Sequence, residues 1–184
     1  MLALAAATQI PLPTPLPKDF VFGLPLVEKV LTTVSEPRLP VAEQAEKVVR
    51  IVMIPAFPGM RAVVSRFTLR ADGLEVVTKT LVDWRPGPGK VVVLPTTRLP
   101  TSRWSEIDDA LAPGLWLFQP GPFPDPRVMD GAIWFVEGSG PRGHVAVIQH
   151  SPGDSPFRKL CRKLMWASGV DFTEWEFVSW FAAR

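Results

Sequence analysis

Residues 130–164 constrain the fold more than any other part of the chain. Residues 131–137 are rich in aromatic and β-branched side chains, which is typical of a strand. Residues 138–143 contain three glycines and a proline, and they predict a turn. Residues 144–150 again have the composition of a strand. Two short strands around a glycine-rich turn predict an antiparallel hairpin.

The register of this hairpin determines which side chains share a face. If the turn closes with Glu137 opposite His144, Phe135 lies opposite Ala146. Side chains alternate along a strand, so Trp134 and its neighbours at every second position take the other face. Both faces are then largely apolar. We therefore predict a central hairpin that is covered on both sides, and we note that a slip of one residue would exchange the faces.

A helix is predicted directly after the hairpin, over residues 156–168. Pro156 suits its first turn, Asp154 or Ser155 can cap it, and Gly169 is a natural end. Its apolar residues have the spacing of one buried face, and they are Phe157, Leu160, Cys161, Leu164 and Met165. We interpret Cys161 as a core residue rather than a nucleophile. The opposite face carries Arg158, Lys159, Arg162 and Lys163.

The rest of the chain adds further strands and helices. Apolar and alternating patterns predict strands at residues 47–54, 61–70, 74–84 and 90–94, and a capped amphipathic pattern predicts a helix at residues 101–111. The chain has 21 prolines, which makes a helix bundle improbable and predicts long connections. We predict an α+β fold in which a mostly antiparallel sheet packs against two or three helices.

The first residues predict a location outside the cytoplasm. Residues 1–7 resemble the end of a secretory signal, and the following prolines predict an extended arm. We divide the chain into residues 1–20, a signal remnant with a proline-rich arm, and residues 21–184, a single α+β domain with an aromatic-rich C-terminal segment. The predicted location is periplasmic or secreted; if residues 1–7 are only a loose N-terminus, it is cytoplasmic. No apolar stretch reaches the roughly 20 residues of a membrane span.

Few residues offer catalytic chemistry. The two histidines lie six residues apart on one predicted strand, about 20 Å from each other, so they cannot share a metal ion. With a single cysteine besides, we predict no metal site and no cofactor. Glu137 opposite His144 could orient the imidazole as a general base. The alternative is a structural ion pair or hydrogen bond that closes the end of the hairpin.

Two surfaces are candidates for binding. Arg158 and Arg162 could hold phosphates, although charges on the outer face of a helix are usually only solvated. Trp175 and Trp180 belong to an apolar C-terminal segment that packs on the domain or on a second subunit, or else forms a partner surface. The net charge of +2 gives no general attraction to nucleic acid, so no nucleic-acid partner is expected. The two alternatives for a partner are another protein and a second copy of this chain.

The order of several motifs is similar to that of an uncharacterised family of small, often exported bacterial proteins. The shared pattern is D-G-x-x-W-x-x-E-G from Asp130, then His144-Val145, Ser151-Pro152 and F-R-x-L from Phe157. The resemblance implies kinship and no particular chemistry. We predict a non-catalytic exported protein that binds a protein partner or an envelope component. The alternative is a small hydrolase or transferase that uses Glu137 and His144.

Overall fold

A computed structural model confirms the predicted fold class. It describes residues 18–36, 39, 47–55, 60–83, 87, 89–110, 131–140, 143–150 and 155–170. Within these ranges the chain forms three helices and one seven-stranded sheet in which all strand pairs are antiparallel. No helix in the described ranges is both long and apolar enough to cross a membrane. The elements are α1 (Lys18–Thr33), β1 (Val48–Pro55), β2 (Ala62–Arg70), β3 (Gly73–Val82), β4 (Lys90–Val93), β5 (Thr97–Leu99), α2 (Ser102–Ala110), β6 (Ala132–Gly140), β7 (Gly143–His150) and α3 (Pro156–Ala167).

The strand order is β4-β3-β2-β1-β6-β7. The first strands form the predicted meander, with its tight turn at Asp72 before β3. The β6–β7 hairpin then joins the free side of β1, so β1 lies at the centre of the sheet. β5, which the sequence did not predict, pairs with the start of β3, while β4 pairs with its end. The two short strands therefore lie one after the other along the same edge.

Helices cover both faces of the sheet. α1 packs on one face with Val52, Val64 and Phe135, and α2 and α3 pack on the other with Ile51, Phe67 and Trp134 and further apolar residues. Along each strand, successive side chains alternate between these two apolar clusters. Strands buried on both faces need nearly continuous apolar sequence, and every residue of β1 is buried.

The hairpin register differs from the prediction by two residues. Pairing continues to Gly140 opposite Gly143, so only residues 141 and 142 separate the strands instead of the six predicted. Glu137 therefore lies opposite Ala146, and His144 lies opposite Ser139. Two-residue loops are the commonest hairpin connections, and glycine does not prevent strand pairing here. A shift of two keeps every side chain on its predicted face, and the predicted coverage of both faces is confirmed.

The sequence of residues 20–33 is compatible with a short helix or a short strand, and in the structure this stretch belongs to the helix α1. It begins at Lys18, inside the range assigned to the proline-rich arm. A Cβ atom on Gly23 would lie 2.6 Å from Cδ1 of Ile148, so α1 approaches β7 more closely there than a larger residue allows without a shift. α2 buries Trp104 and Ile107, as its predicted apolar side requires.

α3 begins at the predicted residue, ends one residue earlier than predicted, and has the predicted orientation. Ser155 caps it, because its hydroxyl accepts a hydrogen bond of 3.2 Å from the N–H of Arg158, and Pro156 occupies the first turn. Gly169 follows with φ +72°, the left-handed conformation that ends helices. The buried residues are those predicted: Phe157, Leu160, Cys161, Leu164 and Met165.

We predict that Ser155→Ala lowers the free energy of unfolding by about 0.5–2 kcal/mol, because the N–H of Arg158 loses its acceptor. The change in free energy of unfolding is measured by urea denaturation monitored by circular dichroism. Ser155→Asp is the matched control, since its carboxylate can accept the same bond, and it should stay within about 0.5 kcal/mol of the wild type. Equal losses for both variants would contradict a capping role.

Candidate functional site

The densest group of charged side chains lies on the α1 face of the sheet, where α1 ends. We call it the buried charge cluster, and it consists of Glu36, Arg50, Arg66, Lys79 and Glu137. Of these five residues, only Glu137 was predicted from the sequence as a site residue. Three cations meet two carboxylates in this cluster.

Strand pairing brings the central members together. Arg50 on β1 lies directly opposite Arg66 on β2 and opposite Glu137 on β6. Residues opposite each other on neighbouring strands share a face, so all three project towards α1. Two arginines side by side repel each other, and the carboxylates beside them offset that repulsion.

The end of α1 supplies the second carboxylate. Ser35 has φ +54°, and the N–H of Glu36 donates 2.8 Å to the carbonyl of Leu31, which closes the last turn. The chain thereby leaves the helix with the Glu36 carboxylate 2.8 Å from Nζ of Lys79 and 3.4 Å from Nη1 of Arg66. Nζ of Lys79 also donates 3.0 Å to the carbonyl of Val34. A cation at a helix C-terminus interacts favourably with the helix dipole.

Arg50 and Glu137 form the centre of the cluster. Both side chains are fully buried, and Nη2 of Arg50 contacts Oε2 of Glu137 directly. Nη1 of Arg50 donates 3.4 Å to the backbone carbonyl of Glu36, and the N–H of Leu39 donates 3.4 Å to Oε2 of Glu137. The pair therefore joins the centre of the sheet to the chain that follows α1. Buried charges persist only when they are paired and hydrogen-bonded in this way.

This geometry is that of a structural ion pair in which the partner of Glu137 is Arg50. Oε2 of Glu137 accepts hydrogen bonds from Arg50 and Leu39, and the side chain has no exposed surface. A general base must reach its substrate directly or through water. The register places His144 two residues from the position opposite Glu137, a diagonal of about 7–8 Å. The side chain of His144 lies outside the described part of the structure.

The lone cysteine is a core residue. Cys161 lies on the buried face of α3, and desolvation by burial raises the pKa of its thiol well above its usual range. The thiolate is the nucleophilic form of cysteine, so the raised pKa removes the reactive species near neutral pH. Among the described residues, no three histidine, cysteine or acidic side chains come together as metal ligands.

The outer face of α3 is the second charged surface. Arg162, Lys159 and Lys163 are exposed, and Arg158 is half-buried. Trp166 is 59% exposed on the same face. The predicted binding residues Trp175 and Trp180 lie outside the described residues. Arg162 and Trp166 are four residues apart, which is the spacing of neighbours on a helix, so the sequence contained a signal for a surface that includes Trp166, which was not predicted.

The other cluster members were missed for an identifiable reason. Arg50 lies inside the apolar run of residues 48–52, where the surrounding valines and isoleucine dominate the pattern and predict only a strand. A charged residue inside a fully buried strand must have a buried partner, and Glu137 interrupts a second such run. These two interruptions were a usable signal for their pairing. Glu36 and Lys79 offered no comparable signal, because tertiary packing alone brings the end of α1 to β3.

Comparisons with known proteins found no match among family models, curated proteins or solved structures. The resemblance to a family of small exported proteins therefore stays a prediction.

We predict that Arg50→Met lowers the free energy of unfolding by about 3–5 kcal/mol, because it leaves the Glu137 carboxylate buried without its guanidinium partner. Thermal and urea unfolding measure the loss. Arg66→Met is the matched control in the same cluster. Its side chain is 37% exposed, so we expect a loss of about 0–1 kcal/mol.

The double variant Arg50→Met/Glu137→Leu separates the pair from its surroundings. Replacing both charges removes the unpaired carboxylate, so the double variant should be more stable than Arg50→Met alone. If the losses in free energy of unfolding of Arg50→Met and Glu137→Leu simply add in the double variant, the two side chains are not energetically coupled, which would contradict the ion pair.

We predict that Cys161 does not react measurably with a thiol reagent such as dithionitrobenzoate in the native protein at pH 7–8, because its thiol is buried and protonated. Release of thionitrobenzoate monitors the reaction. In about 6 M guanidinium, where the core is exposed, one equivalent should react promptly. Rapid reaction under native conditions would show that α3 opens readily or that the thiol is accessible.

Proposed function

We propose that this is a non-catalytic exported protein that binds an envelope component, and that the component is a surface of anionic phospholipid headgroups. The observation that carries the proposal is the outer face of α3, where exposed Lys159, Arg162 and Lys163 lie beside the exposed ring of Trp166. From the sequence we expected either a protein partner or an envelope component; here we choose the envelope component and name its chemistry.

The spacing on α3 supports a flat binding surface. Residues 159, 162, 163 and 166 follow the i, i+3, i+4, i+7 pattern that forms one stripe on a helix. The buried apolar residues of α3 occupy the opposite side, so the stripe faces away from the sheet. The sequence of α3 itself contains no acidic residue.

The combination of cations with one tryptophan favours lipid over nucleic acid. Tryptophan is enriched at the level of membrane headgroups, because its ring is apolar and its N–H is polar. Cations near an anionic leaflet each add about 1 kcal/mol of attraction. Binding of single-stranded nucleic acid usually relies on several aromatic side chains that stack on successive bases, whereas α3 presents a single exposed tryptophan.

The position of Glu137 supports a role without catalysis. Its carboxylate is committed to Arg50 and to the N–H of Leu39 in the interior, where a substrate has no access. The competing hypothesis of a hydrolase or transferase that uses Glu137 and His144 gains no support from this geometry.

We predict that the full chain co-sediments with vesicles of phosphatidylcholine and phosphatidylglycerol and only weakly with phosphatidylcholine alone. The double variant Lys159→Glu/Arg162→Glu should bind the anionic vesicles at least about tenfold more weakly, since each cation near the surface contributes about fivefold. Raising the salt concentration should weaken wild-type binding. Trp166→Ala should weaken it as well, without abolishing its salt dependence.

The matched control is Lys29→Glu/Lys47→Glu, which changes the net charge equally at two exposed positions outside α3. It should retain most of the binding, and its unfolding curve, like that of the α3 variant, should match the wild type. Binding that survives charge reversal on α3 would contradict the proposal. Tighter binding to single-stranded DNA than to the vesicles, with the same dependence on α3, would assign the surface to nucleic acid instead.

Export is the remaining part of the proposal, and it is supported by the alanine-rich first residues and the prolines that follow. Cell fractionation with N-terminal sequencing of the mature protein tests it. Recovery of an uncleaved chain from the cytoplasm alone would contradict export without affecting the vesicle result.

A further inference from the structure

The outermost strand on one side of the sheet is both exposed and apolar. β4 has the sequence Lys-Val-Val-Val, and all four residues are exposed. Val91 and Val92 are each 37% exposed, and Val93 is 60% exposed. Natural sheets usually protect an edge with charges, prolines or bulges, because an open edge can pair with another strand. β4 has one charge, Lys90, at its beginning.

The backbone direction of β4 follows from its pairing with β3. The N–H of Leu94 donates 2.9 Å to the carbonyl of Thr78, so the backbone of Leu94 points towards β3. In an antiparallel pair this direction alternates from residue to residue. The backbone N–H and C=O groups of Val92, which lies opposite Thr80, therefore also point towards β3. The N–H and C=O groups of Val91 and Val93 point away from the sheet.

We propose that β4 pairs in an antiparallel manner with β4 of a second copy of this chain, about a two-fold axis that passes beside Val92. In this register Val91 lies opposite Val93 of the second copy, and Val92 lies opposite itself. The outward N–H and C=O groups of Val91 and Val93 then meet and exchange hydrogen bonds twice, because the axis repeats the pair.

The side chains are complementary in the same register. Val91 and Val93 lie opposite Leu81 and Lys79 on β3, so both project towards the α1 face, where each meets the other across the axis. Val92 lies opposite Thr80 and meets its own copy on the α3 face. Exposed valines thus pair with valines on both faces.

The charges also permit this register. Lys90 falls opposite Leu94 of the second copy, so the two lysines lie at opposite ends of the contact instead of facing each other. A partner strand of another protein would have to match the same short pattern of outward groups and valines. A second copy of β4 matches it by symmetry.

The axis determines how two copies present their helices. A two-fold axis that makes neighbouring edge strands antiparallel runs perpendicular to the sheet, and it leaves each face on its own side. The outer faces of both α3 helices therefore point in the same direction. This consequence rests on the proposed function: two cationic surfaces on one side of a joined sheet would bind an anionic surface with greater avidity than one. The strand pairing itself does not depend on that function.

Disulfide cross-linking tests the register directly. In a non-hydrogen-bonded antiparallel pair the Cα atoms lie about 4.5 Å apart, which is within the range of a disulfide. Val92→Cys should therefore form a covalent dimer at micromolar concentration under mild oxidation. Val91→Cys is the matched control. Its copy is displaced by two residues along the strand, about 8 Å away, beyond the reach of a disulfide.

Native Cys161 is buried and should not interfere. We expect a dimer band on a non-reducing gel for Val92→Cys at least about tenfold stronger than for Val91→Cys, and its loss on reduction. Equal cross-linking of both variants, or of neither, overturns the proposed register. Analytical ultracentrifugation gives a second measurement without cysteines. The wild type should show a concentration-dependent dimer that Val92→Lys removes.

The outcomes separate the two proposals. A wild-type dimer that persists in Val92→Lys uses another interface and overturns the pairing of β4. A wild type that sediments as a monomer at all concentrations overturns it as well. If the β4 dimer forms while anionic vesicles are not bound, the pairing stands and the proposed function fails. If both hold, the wild type should bind the vesicles several-fold more tightly at concentrations where it is dimeric than at concentrations where it is monomeric.

Discussion

The paired charges of Arg50 and Glu137 impose the strictest condition on this fold. Each side chain is fully buried, and an unpaired charge in such a position costs several kcal/mol, a large fraction of the stability of a small domain. A slip of β1 by one residue would turn Arg50 to the α3 face, into the cluster of apolar side chains beneath α2 and α3. The pair thus favours one alignment of β1 with β6, and the position of Glu36 extends the same condition to the end of α1.

The cluster also explains how a sheet covered on both sides retains polar chemistry inside. The α3 face is filled by aromatic and aliphatic side chains, with Cys161 among them as a neutral thiol. The α1 face is apolar beside the helix and charged beside its C-terminal end, where Arg66 and Lys79 keep part of their side chains exposed. The charged side chains there join the end of α1 to the strands.

Two outer surfaces of the domain, the edge strand β4 and the outer face of α3, expose large hydrophobic side chains. Among the described residues, the large hydrophobic side chains that remain exposed are Val91, Val92 and Val93 on β4 and Trp166 on α3. The strand offers backbone groups and aliphatic side chains, whereas the helix offers cations beside an aromatic ring. The two surfaces favour different interactions. The edge of β4 can form backbone hydrogen bonds with another strand, and the outer face of α3 can attract a layer of negative charge. Both proposals place function on the outside of a domain whose interior is occupied by structural interactions.

The sequence by itself determined the local elements, because their signals are local. Alternation and composition predicted strands close to β1–β4, β6 and β7, and apolar spacing with a capping serine predicted α3 and its buried face. The short strand β5 has too few residues to show a periodic pattern. The glycines of residues 138–143 predicted a long turn, whereas in the structure they take part in strand pairing and leave a two-residue loop. Only the tertiary structure decided which charges meet. Glu36, Arg50 and Lys79 are far apart in sequence, and their contact depends on strand order and on where α1 ends, which no local pattern encodes.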